Sequence, residues 1–419
     1  MKPHPLRSES LSEHWRPDHR VFAAGLSGES ALLRDELRRD PLRAAGIEFT
    51  SIQLPGVDQI DYLATHPGAR VQAYFMTPSV RAGLAQRRAA LFPLDYTGIA
   101  RQLLEAPPFD CAIAQFTPPD SDGWCSPGLS SDFAPLVWKR ALRRVGHLNP
   151  EVPRIDSSFK VHISEFDAVV EAGAPALSVA QPVSNEVNER IGRHAANIVR
   201  DGDTLQFGIG SVLPDIARAL HAHRRLRIHS GVISPLLRTL WESGALDRDA
   251  RIVTGVVLGE PTFYDYVGRL GRVYLDDVRK THGLDVIAAI RRFVAINSAV
   301  QVDLFGQVNS ERSGGSIQAG PGGLPAFAQG SQIAVDGRLL ICLSATARDD
   351  RISRIVPILD ADGLCTVPRH QADAVVTEFG VAELRGRSMA SRAEALIAIA
   401  HPNHRDSLAA GWESMLSRL

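Results

Sequence analysis

At 419 residues, 44% hydrophobic and 22% charged, the chain has an ordinary globular composition and is too long for one compact core. Its net charge of −1 argues against nucleic acid or an anionic membrane as the main partner, leaving room only for a local basic pocket. No run of about 18 apolar residues occurs, and the N-terminal "MKPHPLRSESLSEHWRPDHR" lacks the apolar stretch of a signal peptide. A cytoplasmic protein that spans no membrane is expected.

The first recognisable unit is "DHRVFAAGLSGESALLRDEL" (18–37), an acidic turn, a short apolar strand, a glycine loop and an amphipathic helix. It aligns without gaps with "DGDTLQFGIGSVLPDIARAL" (201–220), so that Gly25 falls on Gly208 and Leu37 on Leu220. A strand–loop–helix unit opening each half is the pattern of a duplicated α/β domain. Between the two come a strand, "CAIAQF" (111–116), and a predicted helix, "DFAPLVWKRALRRV" (132–145). The loop "EAGAPALSVAQPVSNEVN" (171–188), rich in small residues and proline, then marks the boundary between domains at 1–184 and 185–419. A helix over "NEVNERIGRHAANIVR" (185–200) opens the second half.

Further strands are predicted at "RIVTGVVLG" (251–259) and "LLICLSA" (339–345), and a helix at "SRAEALIAIA" (391–400). This alternation implies parallel sheets covered by helices. "AINSAVQVDLFGQVNSERSGG" (295–315) reads as one buried strand, with Ala299, Val300, Val302, Leu304 and Phe305 apolar, broken at Gly306. The amide of Gln301 is out of place in it.

Three glycine turns stand out. In "FGIGSVLPDIARAL" (207–220), Gly208 and Gly210 let backbone approach a ligand at a helix N-terminus, although the third glycine of a dinucleotide fingerprint is missing. In "SGGSIQAGPGGLPAFAQGS" (313–331), Gly320, Gly322 and Gly323 leave N–H groups unshielded, as an oxyanion site requires. The third, "VVTEFGVAELRGRSMASRAEALIAIAHPNHRDSL" (375–408), brings Glu378, Glu383 and Arg385 close in sequence, as a structural charge network would. Cys111, Cys125, Cys342 and Cys365 form no C-x-x-C pair and suit a reduced intracellular protein. No His/Cys group has zinc-ligand spacing, and His221/His223 and His401/His404 read as surface pairs. G-x-S-x-G is absent, and Ser211 has no identifiable triad partners.

These segments, with "RIHSGVISPLL" (227–237) and "LSATARDDRISRIVPIL" (343–359), resemble the acetyl-CoA hydrolase/transferase group of class I CoA-transferases, which includes 4-hydroxybutyrate CoA-transferase. The resemblance runs from about residue 18 nearly to the end. It implies two related α/β domains with the active site in the cleft between them, no metal and no permanently bound cofactor. Coenzyme A thioesters would be substrates together with an acyl acceptor, and a homodimer the usual assembly. In that family a glutamate attacks the acyl-CoA, passing through a mixed anhydride to a glutamyl-CoA thioester that a second carboxylate resolves. By position, Gly322 and Gly323 would hold the oxyanion, with Gly320 in the same loop and Gly208 and Gly210 across the cleft.

The chain departs from the pattern at its acids. The resemblance puts the nucleophilic glutamate at Gln301; an "H-S-E" reads His229-Ser230-Gly231, and a "G-G-x-x-D-F" ends Ala326-Phe327. An engineered Glu→Gln change at 301 would not account for Gly231 and Ala326. Three further accounts stay open beside that one: a CoA-transferase drawing its acid from elsewhere, Glu311 being nearest; a divergent acyl-transfer or thioesterase-type enzyme without a glutamyl-CoA intermediate; and an inactive CoA-binding module.

Overall fold

The computed structural model describes residues 5–359 and 363–418. Among these, two large sheets organise the chain. The first has eight strands, all parallel, in the order Leu6–Arg7, Ala168–Glu171, Arg144–Leu148, Cys111–Phe116, Arg20–Ala23, Glu48–Thr50, Arg70–Ala73, Ala89–Leu91. The second has nine, in the order Gly380–Glu383, Ala374–Thr377, Arg338–Cys342, Phe293–Ser298, Thr204–Phe207, Arg227–Ile233, Ile252–Val257, Val273–Leu275, Asp156–Ser157. Only the hairpin of Ala374–Thr377 with Gly380–Glu383 is antiparallel.

The duplication in the sequence reappears as topology. Arg20–Ala23 and Thr204–Phe207 occupy equivalent central places, each flanked on one side by the next strand in sequence and on the other by a later one. Helices Ala31–Arg39 and Leu213–Ala219 follow them. The first starts where Ser30 accepts a hydrogen bond from Leu33 N–H at 3.1 Å, which satisfies an otherwise orphaned donor. Asp156–Ser157, from the first half of the chain, adds to the edge of the second sheet and ties the two together.

Strands buried on both faces read as continuous apolar runs, and successive side chains go to opposite sides. Along Cys111–Phe116, Cys111 and Ile113 join one core cluster while Ala112, Ala114 and Phe116 join another. In the second sheet, Val294 and Ile296 pack on one face and Phe293 and Ala295 on the other. Helices Glu186–Ala196, Met389–Ala398 and Pro402–Leu416 supply part of the covering layers.

Three expectations need correction. The helix predicted over 132–145 is a short one, Ala134–Trp138, and by Arg144 the chain is already in a strand. The turn is pinned by Arg140, whose guanidinium donates to the carbonyls of Leu103 and Ala106 at 2.9 and 2.8 Å. The run around Gln301 is two strands, not one. Phe293–Ser298 lies in the large sheet, whereas Gln301–Asp303 belongs to a separate three-stranded sheet with Val308–Asn309 and Ile355–Val356. Glu378, Glu383 and Arg385 do not form a mutual network. Arg385 pairs with Asp373, Glu383 with Arg338, and Glu378 accepts from Ala345 N–H at 2.9 Å.

Candidate active site

The loops that leave the C-terminal ends of the parallel strands in both sheets face each other, the usual place for a ligand in such sheets. They enclose a cavity of about 250 Å³. The first sheet contributes Leu26, Leu54, Phe75 and Tyr96; the second contributes Gly208, Gly231, Val256, His282, Asn297 and the loop Ala319–Leu324. The two walls are joined by backbone hydrogen bonds, Tyr96 N–H to Gly322 O at 3.0 Å and Met76 N–H to Ala319 O at 3.3 Å. The volume is below that of typical pockets for drug-sized ligands, so it suits the reacting end of a ligand and not the whole of a large one.

One wall is the N-terminus of the helix Leu324–Ile333. The N–H groups of Gly323 and Leu324 have no hydrogen-bond partner among the described residues, and they point the positive end of the helix at the cavity. Gly322, at φ +60°, makes the left-handed turn that aims them. Opposite, Gln206 and Asn297 form a reciprocal buried amide pair, with Asn297 Nδ2 donating to Gln206 Oε1 at 2.8 Å.

His282 fills the space between these walls. Its ring lies 4.6 Å from Tyr96 and 4.5 Å from Phe327, centroid to centroid. Nδ1 sits 2.9 Å from Thr281 Oγ1, and Nε2 has no hydrogen-bond partner among the described residues. Burial, with the neighbouring His229, pushes the imidazole pKa down to about 3. A side chain at Gly231 would put its Cβ 2.6 Å from His282 Cε1 and 2.7 Å from Nε2, and a side chain at Gly323 would also strike Nε2. Glycine at both positions is what admits the ring.

The glycines singled out in the sequence are distributed as follows. Gly208, Gly320, Gly322 and Gly323 line this cavity together with Gly231. Gly210 lines an adjoining apolar chamber that shares Gly208, Ile209 and Val232. Gln301 is on neither. It is half-buried beside a second cavity, of about 440 Å³, with Asn309, Arg312, Arg348 and Arg354. The segment 297–301 forms a partition: Asn297 and Ser298 face the first cavity, Ala299 to Gln301 the second. Ala326 is buried in the helix Leu324–Ile333. Glu311 accepts from Thr366 Oγ1 at 2.8 Å and lines neither cavity.

Two carboxyl groups lie behind the walls, Asp132 buried and Asp58 half-buried. Burial, with Asp277 nearby, pushes Asp132 up to about 8, and its Oδ1 has no hydrogen-bond partner among the described residues. Burial, with Glu29 nearby, raises Asp58 to about 7, and this carboxyl accepts from Leu26 N–H and Leu54 N–H, both at 2.7 Å. Asp58 therefore holds two of the residues that line the cavity. Neither acid lines it. Tyr96 lies in "QRRAALFPLDYTGIARQL" (86–103), which the family resemblance implies as pocket-lining, whereas His282 and these acids were not visible as site residues in the sequence, because no motif spacing marks them.

Residues 259–411 match the family described as acetyl-CoA hydrolase/transferase C-terminal domain. The 4-hydroxybutyrate coenzyme A transferase of Clostridium kluyveri is 32% identical over 396 residues, 93% of this chain and 92% of that one. The chain belongs to the acetyl-CoA hydrolase/transferase family. RipA from Yersinia pestis superposes with a TM-score of 0.88 at 25% identity, covering 98% of this chain and 97% of that one. The 4-hydroxybutyrate CoA-transferase of Porphyromonas gingivalis gives 0.80 at 26%, covering 99% and 98%. The expected CoA-transferase-type fold of parallel-rich sheets and helices is therefore the one observed, and the chain is an enzyme of this family. No helix among the described residues is long and apolar enough to cross a membrane.

Proposed function

We propose that this chain binds an acyl-CoA with the acyl thioester in the cavity between the two sheets. The acyl group is transferred there without a covalent glutamyl-CoA intermediate. One observation carries the reading: among the described residues, no Asp or Glu lines the cavity that holds the glycine loop. The covalent route needs an anionic side-chain oxygen within bonding distance of the thioester carbonyl. The parts that remain are those for a direct attack. The N–H groups of Gly323 and Leu324 would hold the carbonyl oxygen as it becomes an oxyanion, in a pocket whose apolar lining keeps bulk water from weakening them. Attack on the carbonyl carbon then expels coenzyme A as its thiolate.

Titration calorimetry is expected to detect binding of CoA and acetyl-CoA at millimolar concentration or below, and no binding of either would overturn the reading. Mass spectrometry after incubation with acyl-CoA is expected to find no CoA adduct at position 301. The Gln301→Glu variant is expected to gain no exchange of CoA between acyl-CoA and acetate, because that side chain borders the other cavity. Exchange appearing in that variant would return the nucleophile to this strand and defeat the proposal.

A further inference from the structure

Among the described residues three histidines are buried, His147, His229 and His282, and their hydrogen bonds separate them. His147 uses both ring nitrogens, Nδ1 with Ser30 Oγ at 2.9 Å and Nε2 with Ala172 O at 3.0 Å, as a histidine with a purely structural role does. His229 is fixed through Nε2 to Thr281 O at 3.1 Å. His282 is bonded at Nδ1 alone, and its other nitrogen borders the cavity next to Gly231 and Gly323.

The tautomer follows from the network. Thr281 Oγ1–H donates to Asp277 O, four residues back, at 3.4 Å. The hydroxyl oxygen is then the acceptor for His282 Nδ1–H, which leaves the lone pair of Nε2 directed at the cavity. The ring cannot swing away, being held between Tyr96 and Phe327.

We infer that His282 is the general base of this enzyme and that the nucleophile it activates is water, so that the reaction is thioester hydrolysis. This rests on the acyl-CoA reading above and adds the acceptor to it. A carboxylate acceptor arrives already anionic and needs no base. A base has work to do only when the nucleophile carries a proton that must be removed. The rest of the lining agrees, since among the described residues it includes no Lys or Arg to hold an acceptor carboxylate. Burial keeps the imidazole neutral, with its lone pair free, and also makes it a weak base, so the proton moves only as the oxygen–carbon bond forms.

The step balances as follows. Nε2 takes a proton from water as the water oxygen bonds to the thioester carbon. The carbonyl electron pair moves to oxygen, facing the N–H groups of Gly323 and Leu324. That pair returns, the carbon–sulfur bond breaks, and the imidazolium gives its proton to the departing thiolate. The products are one carboxylic acid and one CoA thiol for each acyl-CoA and water.

The test compares wild type with His282→Asn and His282→Gln for acyl-CoA hydrolysis, CoA affinity by calorimetry and thermal unfolding. We expect kcat to fall on the order of 10²–10⁴-fold in both variants, with CoA still bound, and added imidazole to restore part of the rate in His282→Ala. Folded, CoA-binding variants that keep wild-type kcat would overturn the inference and leave the acyl-CoA reading standing. A wild-type chain that binds no CoA would remove that reading itself. Should the variants fail to fold, the wild-type protein decides: with acyl-CoA and acetate in ¹⁸O-water, the label is expected in the released acid. Transfer of CoA to acetate in place of hydrolysis would overturn the assignment of water.

Discussion

An acid at position 231 and an imidazole at position 282 compete for one volume. The backbone at Gly231 is not left-handed, so a side chain there is opposed by His282 and not by its own conformation. Gly231→Glu alone is expected to destabilise the protein by about 1–3 kcal/mol, the usual cost of overpacking a filled site. It should also abolish hydrolysis, because the ring is displaced. Adding His282→Ala opens the space, and the pair should recover most of the loss, giving a favourable coupling in a double-mutant cycle. The new carboxylate would then face the N–H groups of Gly323 and Leu324. Exchange of CoA with acetate should appear, with a CoA adduct at 231 in the mass spectrum. Independent, additive effects in thermal unfolding would show that the two positions do not share this space.

At the scale of elements, the loop Ala319–Leu324 connects chemistry to fold. It is held to the first sheet's loops by the hydrogen bonds to Met76 and Tyr96, and it turns at Gly322 into the helix whose N-terminus faces the cavity. An alanine at φ +60° costs roughly 1–2 kcal/mol, and relaxing that strain would rotate the Gly323 and Leu324 N–H groups. Gly322→Ala is therefore expected to lower kcat more than CoA affinity, together with a modest fall in melting temperature. An unchanged kcat would argue that these donors do not face the reacting carbonyl. This loop was legible in the sequence, as was Gly208 across the cavity, since glycines packed around a proline and followed at once by an apolar helix often serve a site. The duplicated strand–loop–helix units were legible for a similar reason: both carry a period of apolar residues that one face of a sheet demands. What the sequence could not show was where the chain changes sheet. "AINSAVQVDLF" reads as one mostly apolar run, yet it leaves the large sheet after Ser298 and joins a small one at Gln301. A two-residue break of that kind leaves no periodicity to read, and it separates Gln301 from the glycine loop. His282 was illegible because its role depends on two distant glycines that admit its ring.

Across the whole molecule, joining two sheets at their loop ends buries ionisable groups of opposite behaviour, and stability must depend on pH through both. Burial lowers the pKa of His147, His229 and His282, the last to about 3. Between that value and the ordinary histidine pKa of about 6.5, the unfolded chain binds protons that the folded chain does not, so stability falls as pH falls. Asp132 and Asp58 act in the other direction. Their folded pKa values, about 8 and about 7, lie above the ordinary 3.8, so the folded chain keeps protons that the unfolded chain has released, and stability falls as pH rises through that window. Below about pH 6.5 the two sets oppose each other. Above it the histidines are neutral in both states, and the acids act alone. The alkaline side therefore isolates them, with a slope of up to about 1.4 kcal/mol per pH unit for each proton retained. Asp132 has an unpartnered Oδ1 and the higher pKa of the two, so removing its charge should flatten the upper part of that limb. Urea unfolding of wild type and Asp132→Asn at pH 6.5 and pH 8 measures this. Wild type should lose stability between the two, Asp132→Asn should lose less, and the gap between the proteins should widen with pH. Parallel losses in both proteins would mean that Asp132 is ionised in the folded state throughout, and that the wall behind Gly231 carries a charge.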